Sequence, residues 1–164
     1  CVAKKQHFDK LLEVFGTYKD IAHHLGMKYV TVYAWSMRNS IPKKHHEAII
    51  EASFGKITEE DLANYNQRTK ALYESQGYKC EVVESYNSFT KRKKDMFGIL
   101  DMVAIGNGES LGIQMTSKSN MSSRIKKIQE SEYLPELIRS KWRIIVIGWF
   151  KKPNGRYDFK EFEF

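Results

Sequence analysis

From Phe8 to Ala52 the apolar side chains return every three or four residues, which lays them along one face of a helix; the pattern breaks at Gly16, Gly26 and Ser40-Ile41-Pro42. Those breaks predict four short helices, at about 6–15, 18–25, 28–37 and 43–53. Thr58, followed three residues later by Asp61, has the spacing of a helix-capping pair.

After Asn64 the period changes. Residues 66–77 read as a helix closed by Gly77, and Lys79–Tyr86 as a β-rich segment. Met96–Ala104 and Leu111–Thr116 flank Gly106-Asn107-Gly108, a hairpin turn, because Asn and Gly accept the left-handed backbone that tight turns demand. Two polar helices, about 121–131 and 133–139, precede the apolar strand Trp142–Phe150. Asn154-Gly155 then turns into Arg156–Phe164, where Tyr157, Phe159, Phe162 and Phe164 alternate with one slip of register. The change of character at 62–66 predicts two domains, 1–64 all-α and 65–164 α/β in the order α-β-β-β-α-α-β-β, without an internal repeat.

Composition agrees with packed cores in both halves: 41% of residues are apolar and 13% aromatic, with no low-complexity run. Ile144–Phe150, the longest apolar run, is far short of the roughly 20 residues of a membrane span, and Cys1–Phe15 lacks a signal peptide's apolar centre. We therefore expect no membrane partner and a cytoplasmic location. Cys1 and Cys80 are the only cysteines and lack CxxC spacing, which fits a reducing compartment. A first residue of Cys rather than Met leads us to expect a chain that starts inside a longer one.

The net charge of +7 is uneven: residues 1–64 carry 9 Lys/Arg against 8 Asp/Glu, residues 65–164 carry 18 against 12. Such a field favours a polyanion such as nucleic acid, the alternative being a basic surface that serves solubility.

Ala22, Gly26, Val32 and Trp35 stand where a helix-turn-helix needs a small residue at the helix approach, a turn residue tolerant of positive φ, and an apolar inner face on its second helix. Ile21 and Leu25 extend that face, and Phe8, Leu11, Leu12 and Phe15 close the core. An ordinary helical hairpin with a glycine turn is the alternative. Residues 7–64 resemble the helix-turn-helix of phage Cro-like and YdaS-type repressors, in which a recognition helix ending in Trp precedes an x-Ile-Pro segment; here it is Ala34-Trp35-Ser36-Met37-Arg38-Asn39-Ser40-Ile41-Pro42. That resemblance implies a helix in the major groove, with Lys28, Tyr29, Thr31, Tyr33 and Arg38 at bases or phosphates. Two-fold use of DNA by a homodimer is the matching expectation. His23-His24 and His45-His46 are not expected to bind one metal, since adjacent helical side chains diverge by about 100°; surface or DNA-backbone contacts are expected instead.

In the second half, Gly98-Ile99-Leu100-Asp101-Met102-Val103-Ala104-Ile105 places Asp101 within an apolar stretch, where a lone carboxylate is costly. It needs a partner, Arg92 or Lys94 among them, or a metal. Gln114-Met115-Thr116 is the polar element of the next strand. A strand G-x-x-D-x-x-A followed by a strand ending (E/Q)-x-K resembles the PD-(D/E)XK, or restriction-endonuclease-like, nuclease superfamily, particularly its Mrr-like and Holliday-resolvase-like members, over about residues 66–150. The resemblance implies an α/β fold with a mixed sheet flanked by helices. It also implies a metal-dependent deoxyribonuclease with Mg²⁺ or Mn²⁺ held by Asp101 and Gln114, and Glu74 as a further acid. Thr116 stands where the family has Lys, and a neutral hydroxyl stabilises developing charge poorly. Lys118, Arg124 and Lys126 are the nearest cations in sequence. The run Lys91-Arg92-Lys93-Lys94, with Arg124, Lys126 and Lys127, is suited to a DNA backbone.

Three functions stay open on these residues: a nuclease-like domain delivered by a helix-turn-helix, a phage-type regulator whose second domain lost its chemistry and serves DNA contact or oligomerisation, and a helical bundle that docks a protein.

Overall fold

The computed structural model describes residues 6–87, 89–90 and 92–164; Cys1, Lys91 and the Lys93 side chain lie outside what is described. The chain divides into two compact units, Cys1–Asn64 and Tyr65–Phe164. No helix among the described residues is long and apolar enough to cross a membrane.

The first unit is helical: α1 (Gln6–Phe15), α2 (Tyr18–His24), α3 (Tyr29–Arg38), α4 (His46–Ala52) and the single turn α5 (Glu59–Leu62). Thr17 starts α2 with a reciprocal capping box to Asp20, and Thr58 starts α5 with the same device to Asp61, the pair expected from spacing. Asp61 also accepts from Lys10 Nζ at 2.7 Å, which ties α5 to α1. Between α2 and α3 the chain reverses at Gly26, φ +61, and the Met27 N–H donates to the Ala22 carbonyl at 2.8 Å. Phe8, Leu11, Ile21, Ala22, Val32, Trp35, Ile41, Ile49, Ile57 and Leu62 form the core. The fourth predicted helix divides, because Pro42 is followed by a 3₁₀ turn, Lys43–His45, before α4.

His45 and His46 are not surface groups in the sense expected. The His45 ring packs on Trp35 with centroids 4.9 Å apart. His46 is buried, with Nδ1 2.8 Å from Glu59 Oε1 and Nε2 2.9 Å from the Ile41 carbonyl, so it pins α4 to its neighbours.

The second unit opens with α6 (Tyr65–Ser75) and β1 (Lys79–Val82), followed by a two-stranded hairpin, β2 (Ser85–Asn87) and β3 (Arg92–Lys94). β4 (Met102–Gly106) and β5 (Glu109–Ser117) come next, then α7 (Met121–Gln129), α8 (Tyr133–Arg139), β6 (Trp142–Lys151) and β7 (Tyr157–Glu163). Among the described residues the main sheet has the order β1-β4-β5-β6-β7; β5 and β6 are parallel and the other pairs antiparallel. The parallel pair requires a crossover, which α7 and α8 supply. The turn Asn107-Gly108 has φ +53 and +75, the two left-handed residues of a tight hairpin.

Alternation along the strands gives the sheet two packed faces. Ile113, Met115, Ile145, Ile147 and Trp149 pack with Tyr73 of α6 on one face, where Trp149 Nε1 donates to Thr69 Oγ1 at 3.0 Å. Ile144 and Val146 pack with Leu100, Ile128 and Leu137 on the other, under α7 and α8. Gly148, paired with Thr116, belongs to that second face; a Cβ there would strike Met121 Sδ and come within 3.1 Å of Lys118 Cα. Gly148→Ala is expected to destabilise the unit by about 1–3 kcal/mol through overpacking. Thermal unfolding checks this: a wild-type melting temperature would mean that α7 is not seated on β6 as described.

The sequence expectation for Met96–Ala104 needs correction. Met96 and Leu100 bridge a tight turn in which Phe97 (φ +53) and Gly98 (φ +71) are left-handed, and β4 begins only at Met102. Ile99 and Leu100 are apolar because they pack under α7 and α8, not because they alternate along a strand. Asp101 therefore sits at the bend that enters β4.

Candidate metal centre

Three chain segments converge on Asp101. Its N–H donates to the Ile113 carbonyl of β5 (2.9 Å), and its carbonyl accepts from Val83 (2.9 Å) and Glu84 (3.2 Å), the link between β1 and the hairpin. These bonds end β1 early and draw Glu84 toward Asp101. At the far side of the hairpin, Ser85 pairs with Lys94, so Glu84 and Asp95 flank its open end. One carboxylate oxygen from each of Glu84, Asp95 and Asp101 lies within 4.8 Å of the others.

The Asp101 side chain is buried. Its Oδ2 accepts from the Met115 N–H at 2.9 Å and from Gln114 Nε2. Gln114 is buried too, and its Oε1 has no hydrogen-bond partner among the described residues. A buried carbonyl oxygen without a donor forfeits its hydration with nothing in return.

Burial pushes the Asp101 carboxyl up to about 7; the neighbouring Asp95 and Glu84 carboxylates act in the same direction, against the Met115 N–H, which favours the anion. Two unit charges about 5 Å apart repel by on the order of 3 kcal/mol at an effective dielectric near 20. Among the described residues, Lys127 Nζ lies 3.4 Å from Asp95 Oδ2. It is half-exposed, and an exposed pair of that kind stabilises by only about 0–1 kcal/mol. A divalent cation placed among the three carboxylates would lower that repulsion. Three carboxylates offer an all-oxygen donor set, which suits a hard divalent cation rather than a thiolate-seeking ion. The residues that would hold such an ion are Asp101, Glu84 and Asp95, with Gln114 Oε1 as neutral donor.

The other residues singled out in the sequence lie as follows. Gln114 and Thr116 share one face of β5 and are both buried. Glu74 pairs with Lys70 (3.8 Å) on α6 and is not in the acidic group. Lys118 lies over the Phe150 ring at 4.4 Å. Lys126 faces Glu130 at 3.9 Å, so it is its neighbour Lys127, about 100° around α7, that reaches the centre. Arg124 is half-buried on α7, and Arg92 and Lys94 are exposed on β3. Neither is bonded to Asp101, whose Oδ2 takes its hydrogen bonds from Gln114 and Met115 of β5. Glu84 and Asp95 are not among the residues the sequence points to, and it points to Lys127 only as a DNA-backbone contact. The available signal was two acids bracketing a charged segment before Asp101.

On the first unit, α3 turns Val32 and Trp35 inward and leaves Tyr29 and Tyr33 exposed and stacked, with centroids 5.8 Å apart and planes at 21°. Tyr18 meets Tyr33 edge-on at 6.1 Å. Lys28 is exposed just before α3, and exposed Arg38 at its end donates from Nε to the Ala34 carbonyl at 3.3 Å. Thr31 is half-buried, because it lies about 200° from Tyr29 around the helix; exposed Val30 and Met37 continue the outer edge instead.

No protein-family model, curated protein or solved structure matches this chain.

Proposed function

We propose that the chain binds DNA through its first unit and cleaves phosphodiester bonds at the acidic centre of its second, in a reaction that depends on Mg²⁺ or Mn²⁺. The observation that carries the reading is the group Glu84, Asp95 and Asp101 beside the unpartnered Gln114 Oε1. A partly buried acidic cluster with an orphan carbonyl is costly, and a divalent ion would offset that cost. Such an ion stabilises charge on a phosphoryl oxygen and acidifies the attacking water.

The order of elements supports the resemblance to the restriction-endonuclease-like superfamily: one helix, three antiparallel strands of the main sheet, then helices that lead into a parallel strand. Asp101 and Gln114 also stand side by side as the two motif positions require, although fold analogy alone does not carry a chemistry. Lys127 takes the part of a nearby cation that Thr116 cannot take. In the first unit, the turn at Gly26 and the exposed Lys28, Tyr29, Tyr33 and Arg38 support a helix-turn-helix that reads the major groove, by our reading as a homodimer.

Thr116 favours a second reading, a regulator that kept the fold and lost the chemistry. Incubation with supercoiled, linear, single-stranded and branched DNA separates the two. We expect slow cleavage with Mn²⁺, weaker cleavage with Mg²⁺ and none in EDTA. Folded, DNA-binding protein that cuts none of them with either metal makes the regulator the better account.

A further inference from the structure

Beside the acidic centre lies a cleft that the cleavage reading does not use. Phe97, two residues after Asp95, is 42% exposed, and Tyr133, at the start of α8, is 43% exposed. Their rings lie 5.1 Å apart with planes at 31°. Both line an open cleft of ≈ 490 Å³, together with Lys127, Glu130 and Glu132. That volume lies within the range of about 300–1,000 Å³ usual for organic ligands. Lys127 joins the cleft to the centre, because its side chain lines the one and its ammonium group pairs with Asp95 of the other.

The backbone adds an independent observation. Phe97 is left-handed at φ +53, a conformation that bulky side chains rarely adopt. Burial repays it only in part, since the residue keeps 42% of its surface exposed while Ile99 and Leu100, just beyond, are buried. Strain held on an exposed aromatic residue beside a reactive centre points to a ligand.

The lining also restricts what that ligand is. Two aromatic rings suit a flat π-system. Glu130 and Glu132 repel a phosphodiester backbone but accept hydrogen bonds from the exocyclic amino group of a nucleobase. Lys127, the one cation of the lining, stands on the side of the acidic centre, where the adjoining phosphate belongs. In a duplex the base faces are stacked on each other, so only an unpaired nucleotide offers a face to Phe97 or Tyr133.

We propose that this cleft holds one unpaired nucleobase next to the phosphodiester at the acidic centre, which makes the substrate single-stranded DNA or a duplex with a flap, gap or bulge. The proposal rests on the cleavage reading of the same site, and its test reads binding instead of cleavage. The probe is a single-stranded hexanucleotide carrying 2-aminopurine, compared with the blunt duplex of the same sequence, on the full chain in Ca²⁺. We expect the single strand to bind at least about 10-fold more tightly, with its fluorescence quenched by stacking. Tyr133→Leu should weaken binding by between about 5- and 100-fold, the range for loss of one base-stacking contact, and abolish the quenching. Phe97→Asn should do the same; Asn tolerates the left-handed backbone, so this variant removes the ring without breaking the turn.

Equal affinity for the two DNAs, an unquenched probe, no binding of the hexanucleotide, or variants that bind like the wild type would each overturn the assignment. Cleavage of plasmid DNA with Mn²⁺ alongside any of those results leaves the cleavage reading standing and removes only the cleft. Quenching that depends on Phe97 and Tyr133, without cleavage of any DNA, removes the cleavage reading and keeps the cleft as a binding site.

Discussion

Asp101→Asn is expected to reduce Mn²⁺-dependent cleavage by at least about 100-fold, the scale on which loss of a central electrostatic group acts. DNA binding by the first unit should stay within about twofold of wild type. The variant keeps an oxygen for the Met115 N–H, which Asp101 Oδ2 accepts at 2.9 Å, and it offers an N–H₂ that can donate to the orphan Gln114 Oε1. It removes the buried member of the three carboxylates, so Glu84 and Asp95 are left to hold an ion alone. Isothermal titration with Mn²⁺ alongside the cleavage assay checks both halves. A wild type that cuts and an Asp101→Asn variant that cuts equally well would show that the ion is not held there.

The same substitution carries a pH signature whose sign follows from burial. The folded Asp101 carboxyl is raised to about 7 from an ordinary 3.8. Between those values the folded chain holds a proton that the unfolded chain has released, so stability falls as pH rises through that window. Below about pH 4 both states are protonated, and the difference vanishes. In EDTA, Asp101→Asn should therefore melt progressively higher relative to wild type as pH goes from 4 to 8. Divalent metal should reverse the order at pH 8, because an ion that binds only the folded wild type stabilises it. A melting difference that is constant from pH 4 to 8 would mean that Asp101 ionises as an ordinary surface carboxylate does.

The helices and the main sheet were legible because their signals are local. Apolar spacing marks α1, α2 and α3, Asn107-Gly108 marks the β4–β5 hairpin, and the unbroken apolar run marks β6, buried on both faces. Asp101 and Gln114 were legible as polar residues stranded among apolar ones. The rest of the centre was not, for a physical reason. Glu84 and Asp95 stand eleven positions apart and are joined only by the pairing of β2 with β3, whose charged residues carry no alternation to reveal a strand. Lys127 differs from Lys126 by one position and hence by a third of a turn, which no count of nearby cations resolves. Phe97 was hidden by its apolar neighbours, which make a turn resemble the beginning of a strand.

Lys28→Ala combined with Tyr33→Ala is expected to weaken binding to a selected duplex site by about 10- to 100-fold at constant salt, since a good base contact contributes about 1–3 kcal/mol. Lys28 stands exposed at the start of α3, within reach of a phosphate or a base edge in the groove we assign to this helix. Tyr33 is held in position by Tyr29 stacked on one side and Tyr18 edge-on at 6.1 Å, so its ring is presented with little rotameric freedom to lose on binding. The pair is separable from the fold, because the core contacts of α3 are made by Val32 and Trp35 on the opposite face. A Trp35→Ala change, by contrast, would cost about 3–5 kcal/mol and unfold the unit instead of testing its surface. Loss of the Lys28 charge should also reduce the slope of log affinity against log salt by about one. Fluorescence anisotropy across a salt series reads both effects, with the melting temperature as control. A double variant that melts like wild type and binds the same site with the same affinity and salt slope would remove α3 as the DNA-reading helix and leave the first unit a protein-docking bundle.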